Sequence, residues 1–316
     1  MNIEFYNKDK LAIWDSFVAK SHKATFQHSR TFLNYHRERF IDRSVIVYEG
    51  NKLLAIFPAA ESPHHPEQIV SHIGSTYGGL IYDASVYGTN TIEILQCIVN
   101  FYQGNGYKEI VYKTTPSIYH SAIDEDDVYA LFRLNARLDR VDINAVIDKY
   151  ARLKVSSQRK RSYKKAVKAS LTVQEGFENI DAFYKILLSN LESKHGAKPV
   201  HTIDELKELK QLFPNDISLW SVVSTEGQVI SGVLFFFINQ TMHAQYITSS
   251  SNGYDLGALD FLFESALSFI ENQEKLRYLA FGTSNVEQGK VLNKTLYRFK
   301  RQFGAGSVAH QFYSLV

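Results

Sequence analysis

The chain has 316 residues, a formal charge of +2, 45% apolar and 22% charged residues, and 6 prolines. At about 100–200 residues per domain this is one large or two modest domains with ample core, and the composition excludes disorder, collagen and coiled-coil rods. The single cysteine, Cys97, excludes an internal disulfide and zinc ribbons and fits a reducing cytoplasm. The longest apolar run, Val229 to Ile238, is broken by Ser231 and Gly232. It is about half of the roughly 20 residues a membrane helix needs, so no span is expected. Met1 to Lys10 is polar and carries no secretory pattern, and a cytoplasmic location is expected.

In chain order, Lys8 to Ala19 and Ser29 to Phe40 read as helices. Ser44 to Tyr48 alternates as a strand, Glu49-Gly50-Asn51 reads as a hairpin turn, and Leu53 to Ala60 returns as the partner strand. Gln68 to Ile73 is a third strand, followed by the turn Ser75-Thr76-Tyr77-Gly78-Gly79-Leu80. The helix Thr91 to Gln103 then leads to a strand, Glu109 to Thr114.

The same order returns in the second half. Ser156 to Ala169, Ile180 to Lys194 and Thr202 to Leu212 read as helices, the last opened by a Thr202/Glu205 capping box. Leu219 to Val223 and Val229 to Ile238 form a hairpin across Thr225 to Gln228, and Met242 to Thr248 is the third strand. A glycine-bearing turn, the helix Leu259 to Asn272 and the strand Arg277 to Gly282 follow. Helix, hairpin, strand, helix, strand is thus written twice. The expected fold is tandem α/β (α+β) domains, each a mixed, largely antiparallel sheet flanked by helices, with the boundary near residue 150.

Between Lys149 and Lys168 stand nine Lys or Arg and no acid, which against a total of +2 leaves the rest of the chain at −7. The segment reads either as a solvated helix face or as an anion site. An RNA backbone would need many phosphate contacts with a steep salt dependence, whereas a diphosphate needs only two or three of Arg159, Arg161 and Lys165. On the basic helix Arg159 to Lys168 the aromatic stacking partners for RNA bases are limited to Tyr163, which favours the diphosphate.

The order of elements, with the turn Ser249-Ser250-Ser251-Asn252-Gly253-Tyr254-Asp255-Leu256-Gly257-Ala258, resembles the GNAT acyltransferase fold. In that family the turn after the third strand holds a cofactor pyrophosphate on backbone N–H groups at a helix start. Asn293-x-x-Leu296-x-x-Phe299-Lys300-x-x-x-Gly304 resembles the family's last-helix pattern with lysine in place of the usual tyrosine. That lysine, the basic helix Arg159 to Lys168, and Phe281 to Gly289 resemble the FemAB branch, aminoacyl transferases of cell-wall cross-bridges and their relatives in surface-polysaccharide clusters.

The resemblance implies an N-acyltransferase placing an acyl group on the amine of an amino sugar, nucleotide- or lipid-linked, during surface-glycan assembly. Acyl-CoA is the implied cosubstrate, with no metal; the alternatives are aminoacyl-tRNA as donor to a cell-wall precursor, and a non-catalytic scaffold that kept the fold. Thr248, Ser249, Ser250, Gly253 and Gly257 are the implied cofactor residues. Lys300 is implied as oxyanion donor or proton source, with Asn293 beside it. Glu287 is the leading base for the acceptor amine, a role worth typically 10²–10⁴-fold. His201, Gln245, Tyr246 and Arg161 in the second half, with Tyr77, Gly78 and Gly79 in the first, are the implied substrate contacts. Strand alternation puts His243 and Gln245 on one face and Tyr246 on the other. His243 is a core histidine or a second base.

Overall fold

The computed structural model describes residues 1–195 and 198–316. Contacts divide the chain into two units. The first comprises Met1–Asp142, Glu287–Val291 and Ala309–Val316, the second Ile143–Val286 and Leu292–Val308. Two short segments of the second half of the sequence therefore belong to the first unit.

The first unit begins with β1 (Asn2–Phe5), α1 (Leu11–Lys20), α2 (Arg30–Asn34), β2 (Val45–Glu49), β3 (Lys52–Phe57), β4 (Ala60–Glu61), β5 (Gln68–Val70) and β6 (Ile81–Tyr82). It continues with α3 (Thr89–Gly104), β7 (Glu109–Lys113) and α4 (Asp126–Arg133), and β8 (Arg137–Asp148) passes from the first unit into the second. The expected β2–β3 hairpin lies in an antiparallel sheet ordered β1-β2-β3-β6. Both faces of this sheet are covered. Val45, Val47, Ala55 and Phe57 pack with Ile94 and Ile98 of α3, while Ile46 and Ile56 pack with Trp14 and Val18 of α1.

The third strand does not join that sheet. β5 pairs antiparallel with β4 and parallel with β7. Pro58 lies at the break: it has no N–H to donate, so the expected strand Leu53 to Ala60 stops at Phe57 and resumes as β4 in the other sheet. The expected helix Ser29 to Phe40 is also cut short. Ser29 caps α2 by accepting from the Phe32 N–H, and Arg37 at φ +54° precludes continuation.

The second unit contains α5 (Ser157–Lys168), β9 (Thr172–Glu175), α6 (Ile180–His195), α7 (Ile203–Leu212), β10 (Ile217–Val223), β11 (Val229–Ile238) and β12 (Thr241–Ser249). After these come α8 (Ser251–Leu256), α9 (Ala258–Glu271), β13 (Tyr278–Thr283), β14 (Asn285–Val286), β15 (Val291–Leu292), α10 (Lys294–Arg301) and β16 (Gly306–Leu315). The last strand passes into the first unit, where it pairs antiparallel with β7. Strands β9 to β13 lie side by side in sequence order, antiparallel except for the parallel pair β12–β13. Both faces of β11 are buried, which explains its unbroken apolar run. Leu259, Leu262, Phe263 and Ala266 of α9 pack on one side with Trp220, Phe235 and Met242. On the other side α6 comes so close that a Cβ on Gly232 would lie 2.7 Å from Phe183.

Candidate active site

Two irregularities in the second sheet shape the site. Parallel pairing of β12 with β13 covers only Thr241↔Tyr278, Met242↔Leu279 and His243↔Ala280, although both strands run on. On the other side of β12 the register skips Gln245, since Leu234 opposes Tyr246 and Phe235 opposes Ala244. This bulge reverses the alternation. Met242 and Ala244 face the α9 core, while Tyr246 and Thr248 meet residues on the opposite side. His243 therefore shares its face with Tyr246, contrary to the regular alternation that pairs it with Gln245.

A cleft of about 390 Å³ opens beside the outer half of β12. Leu187, Asn190 and Leu191 of α6, Ile247 of β12 and Tyr254 of α8 line it, together with Leu259 of α9 and Asn293, Thr295, Leu296 and Phe299 around the start of α10. Among the lining residues none is charged. Asn190 is the polar anchor of its wall, donating to Thr248 Oγ1 at 2.7 Å and to the Ser249 carbonyl at 2.8 Å. Residues 187, 190 and 191 form one stripe of α6, and that spacing was the available signal for this wall.

Lys300, the residue after Phe299, is 4% exposed. Its Nζ donates to the carbonyls of Gly282 at 3.0 Å and Thr283 at 2.6 Å, at the end of β13. Consecutive carbonyls of a regular strand point opposite ways. Here Gly282 adopts φ +72° within a register shift of β13, which turns both toward one ammonium. Burial pushes the Lys300 pKa down to about 7. The His243 ring lies over Gly282, where a Cβ would be 3.6 Å from its Cε1. Burial, and then the Lys300 charge, hold His243 down to about 4, so it is a neutral imidazole at pH 7.

The other expected residues fall into distinct places. His201 and Tyr246 are brought together: His201 Nδ1 lies 2.7 Å from the Tyr246 hydroxyl, which burial pushes up to about 12. Gln245 is the bulged residue. Asn293 lines the cleft, but its side-chain oxygen accepts from the Leu296 N–H at 3.0 Å and so caps α10. Glu287 is exposed in a turn at φ +51° between β14 and β15 and belongs to the first unit, while Lys300 belongs to the second. Arg161 is exposed on α5.

The turn after β12 departs from an open pyrophosphate cradle. Ser250 accepts the Gly253 N–H at 3.1 Å, and a Cβ on Gly253 would lie 2.3 Å from the Ile230 carbonyl. Gly257, at φ +76°, does allow a close backbone approach, but the approaching atom is the Ser162 carbonyl of α5, 2.4 Å from where a Cβ would stand. Arg159 of α5 pairs with Asp260 in the first turn of α9 at 3.0 Å. Burial outweighs that guanidinium and pushes Asp260 up to about 6. These glycines serve helix packing in this chain.

In the first unit, Tyr77, Gly78 and Gly79 are buried. The Tyr77 hydroxyl donates to Thr25 Oγ1, a Cβ on Gly78 would meet the Ser71 carbonyl at 2.2 Å, and Gly79 packs on Tyr112. They form a packed turn and present nothing to a ligand. An open cleft of this unit, about 580 Å³, lies elsewhere, with Tyr6, Arg30, Asn34, His36, Phe40 and His72 among its lining residues. Among the described residues no group of three or more His, Cys, Asp or Glu could hold a metal, and no helix is long and apolar enough to cross a membrane.

No family model matches the chain, and no curated protein matches it. Solved structures do. A FemX structure superposes with a TM-score of 0.68 at 11% identity, covering 98% of this chain and 97% of that one. L-PGS from Bacillus licheniformis gives 0.62 at 12% identity over 98% and 92%. A tandem GNAT protein from the clavulanic acid biosynthesis pathway gives 0.50 at 9% identity over 99% and 98%. Together with the parted parallel strands and the lysine at their mouth, these likenesses define the architecture: the chain has the tandem GNAT fold, FemAB-like in kind.

Proposed function

We propose that this chain is an acyl- or aminoacyl-transferase that moves an acyl group from an activated ester or thioester to an amine. The observation that carries the reading is Lys300, a buried lysine with a pKa near 7 held at the end of β13 and next in sequence to Phe299, which lines the uncharged cleft. An ammonium has three donors, and two are held by the Gly282 and Thr283 carbonyls. The third is left for the tetrahedral oxyanion, where one preorganised donor is worth about 2.7–4 kcal/mol, or for protonating the leaving group. The two carbonyls fix the ammonium in place before the substrate arrives.

In this reading the donor's activated arm lies in the second-unit cleft, and the acceptor is an amino sugar of surface-glycan assembly. The first-unit cleft offers such a sugar the exposed Asn34 amide and the Phe40 ring, while Arg30 is buried and held by Ser44, Asn34 and Asp42. Aminoacyl-tRNA as donor is the second reading. It is favoured by the start of α9, where the Ser162 carbonyl lies against Gly257 and Asp260 pairs with Arg159.

Calorimetric titration with acetyl-CoA at two salt concentrations tests the donor. Binding at about 1–100 µM with a shallow salt dependence supports a CoA ester. No heat with acetyl-CoA, but transfer from charged tRNA with a steep salt slope, supports the second reading. Transfer from neither donor to any of a panel of amino-sugar nucleotides overturns both and leaves the scaffold.

A further inference from the structure

Helix α5 buries one side and leaves the other wholly cationic. Ala166 is buried, Ser162 abuts Gly257, Arg159 pairs with Asp260, and Tyr163 stacks on Phe261. At 100° per residue these four share one side of the helix. The opposite arc carries Lys160, Arg161, Lys164, Lys165 and Lys168, all exposed. Among the described residues none of the five forms an ion pair, whereas Arg152 and Arg159 of the same segment are held by Glu264 and Asp260. The stripe is about 12 Å long.

Exposed apolar side chains accompany the charge. Tyr150 is 75% exposed, Leu153 48% and Val167 49%. Leu153 and Val167 offer nothing to a phosphate backbone and do not stack on bases, but they, like the Tyr150 ring, enter the boundary between lipid headgroups and acyl chains. Cations interspersed with such residues, and no acid between positions 149 and 168, fit a negatively charged bilayer better than an RNA. We infer that the α5 face is a docking surface for an anionic membrane, holding the protein at a lipid surface. The inference stands apart from the transfer reaction, since it requires neither the donor nor the acceptor.

Co-sedimentation of the full chain with vesicles tests it. Phosphatidylcholine vesicles are compared with vesicles also containing phosphatidylglycerol, at low and high salt. Each Lys or Arg near an anionic surface is worth about 1 kcal/mol, about fivefold in partitioning. The double variant Lys164→Glu with Lys168→Glu is therefore expected to weaken binding to the anionic vesicles at least about 25-fold at low salt, with an unchanged melting temperature. The control Lys275→Glu changes charge elsewhere on the second unit and is expected to change binding far less. Three results overturn the inference: no binding to anionic vesicles at low salt, equal binding to neutral vesicles, or full binding by the double variant. Binding of uncharged tRNA that the double variant abolishes, without vesicle binding, also overturns it and assigns the face to RNA.

Discussion

The Lys300 ammonium donates to the Thr283 carbonyl at 2.6 Å, tying the last helix to the end of the strand that parts from β12. The same contact keeps a positive charge in a place where burial opposes it. Its two consequences, for chemistry and for stability, separate experimentally.

Replacing Lys300 by Met keeps the stem length and removes the charge. Turnover is expected to fall by at least about 100-fold with the circular dichroism spectrum unchanged, in line with the loss of one oxyanion donor. In the wild type, the ammonium that does this work is lost as pH rises through about 7, so kcat is expected to decline above that pH. A kcat within about threefold of wild type in Lys300→Met would remove the residue from the chemistry.

Stability responds in the opposite direction at this residue. The folded pKa of Lys300 is lowered from 10.5 to about 7, so between these values the unfolded chain binds the extra proton and stability rises with pH. Denaturant midpoints at pH 6, 7.5 and 9 are expected to show the wild type gaining on Lys300→Met as pH increases. A constant difference would mean that the lysine is not buried in its charged form.

Acid should weaken the fold above the range in which most of its carboxylates titrate; Asp260, pushed up to about 6, takes up its proton above that range as well and offsets one histidine. His28, His243 and His310 are held down to about 4 and His120 to about 3, chiefly by burial, against 6.5 when unfolded. Over that interval the unfolded state takes up the protons, so stability falls as pH drops from 6.5 towards 4, by about 1.4 kcal/mol per pH unit for each histidine. Urea unfolding across this range checks the slope, and His243→Gln should reduce it by one proton's worth.

Gly257 and Gly227 have similar backbone angles, φ +76° and +78°, but different surroundings. Nothing lies within 4 Å of a Cβ on Gly227, so Gly227→Ala is expected to cost only about 1–2 kcal/mol of left-handed strain. At Gly257 the Ser162 carbonyl stands in the way, and Gly257→Ala must also displace α5. A larger loss in melting temperature at 257 than at 227 is the expected result.

Asn293 separates capping from catalysis. Asn293→Ala should cost about 0.5–2 kcal/mol through the lost bond to the Leu296 N–H, while Asn293→Ser, which also caps, should recover both stability and turnover. A serine variant that is stable but inactive would instead assign the amide to the substrate.

Much of this molecule was legible in the sequence because it depends on local pattern. The doubled order of elements, the 229–238 strand, α5 behind Ser156 and the Thr202/Glu205 capping box all stand as read. Periodicity and capping are properties of neighbouring residues, and the packing agrees with them. Lys300 was marked by its place in a resemblance, and the structure adds what surrounds it.

Decisions involving residues distant in sequence were made by tertiary packing. A single skipped residue at Gln245 moved Tyr246 to the face of His243 and against His201, and no periodicity announces a bulge. Pro58 divided the first hairpin from its third strand. A glycine in a turn signals a close approach but not its partner: at Gly257 the partner is α5, and at Gly78 it is the Ser71 carbonyl. The sequence by itself determined the twice-written elements, their order and the residue types available for chemistry, but not β1, α4, β8 or β16. Only the tertiary structure decided which glycines face a neighbouring backbone and which lysine is buried deeply enough to titrate near neutrality, because both depend on atoms of different elements brought together by packing.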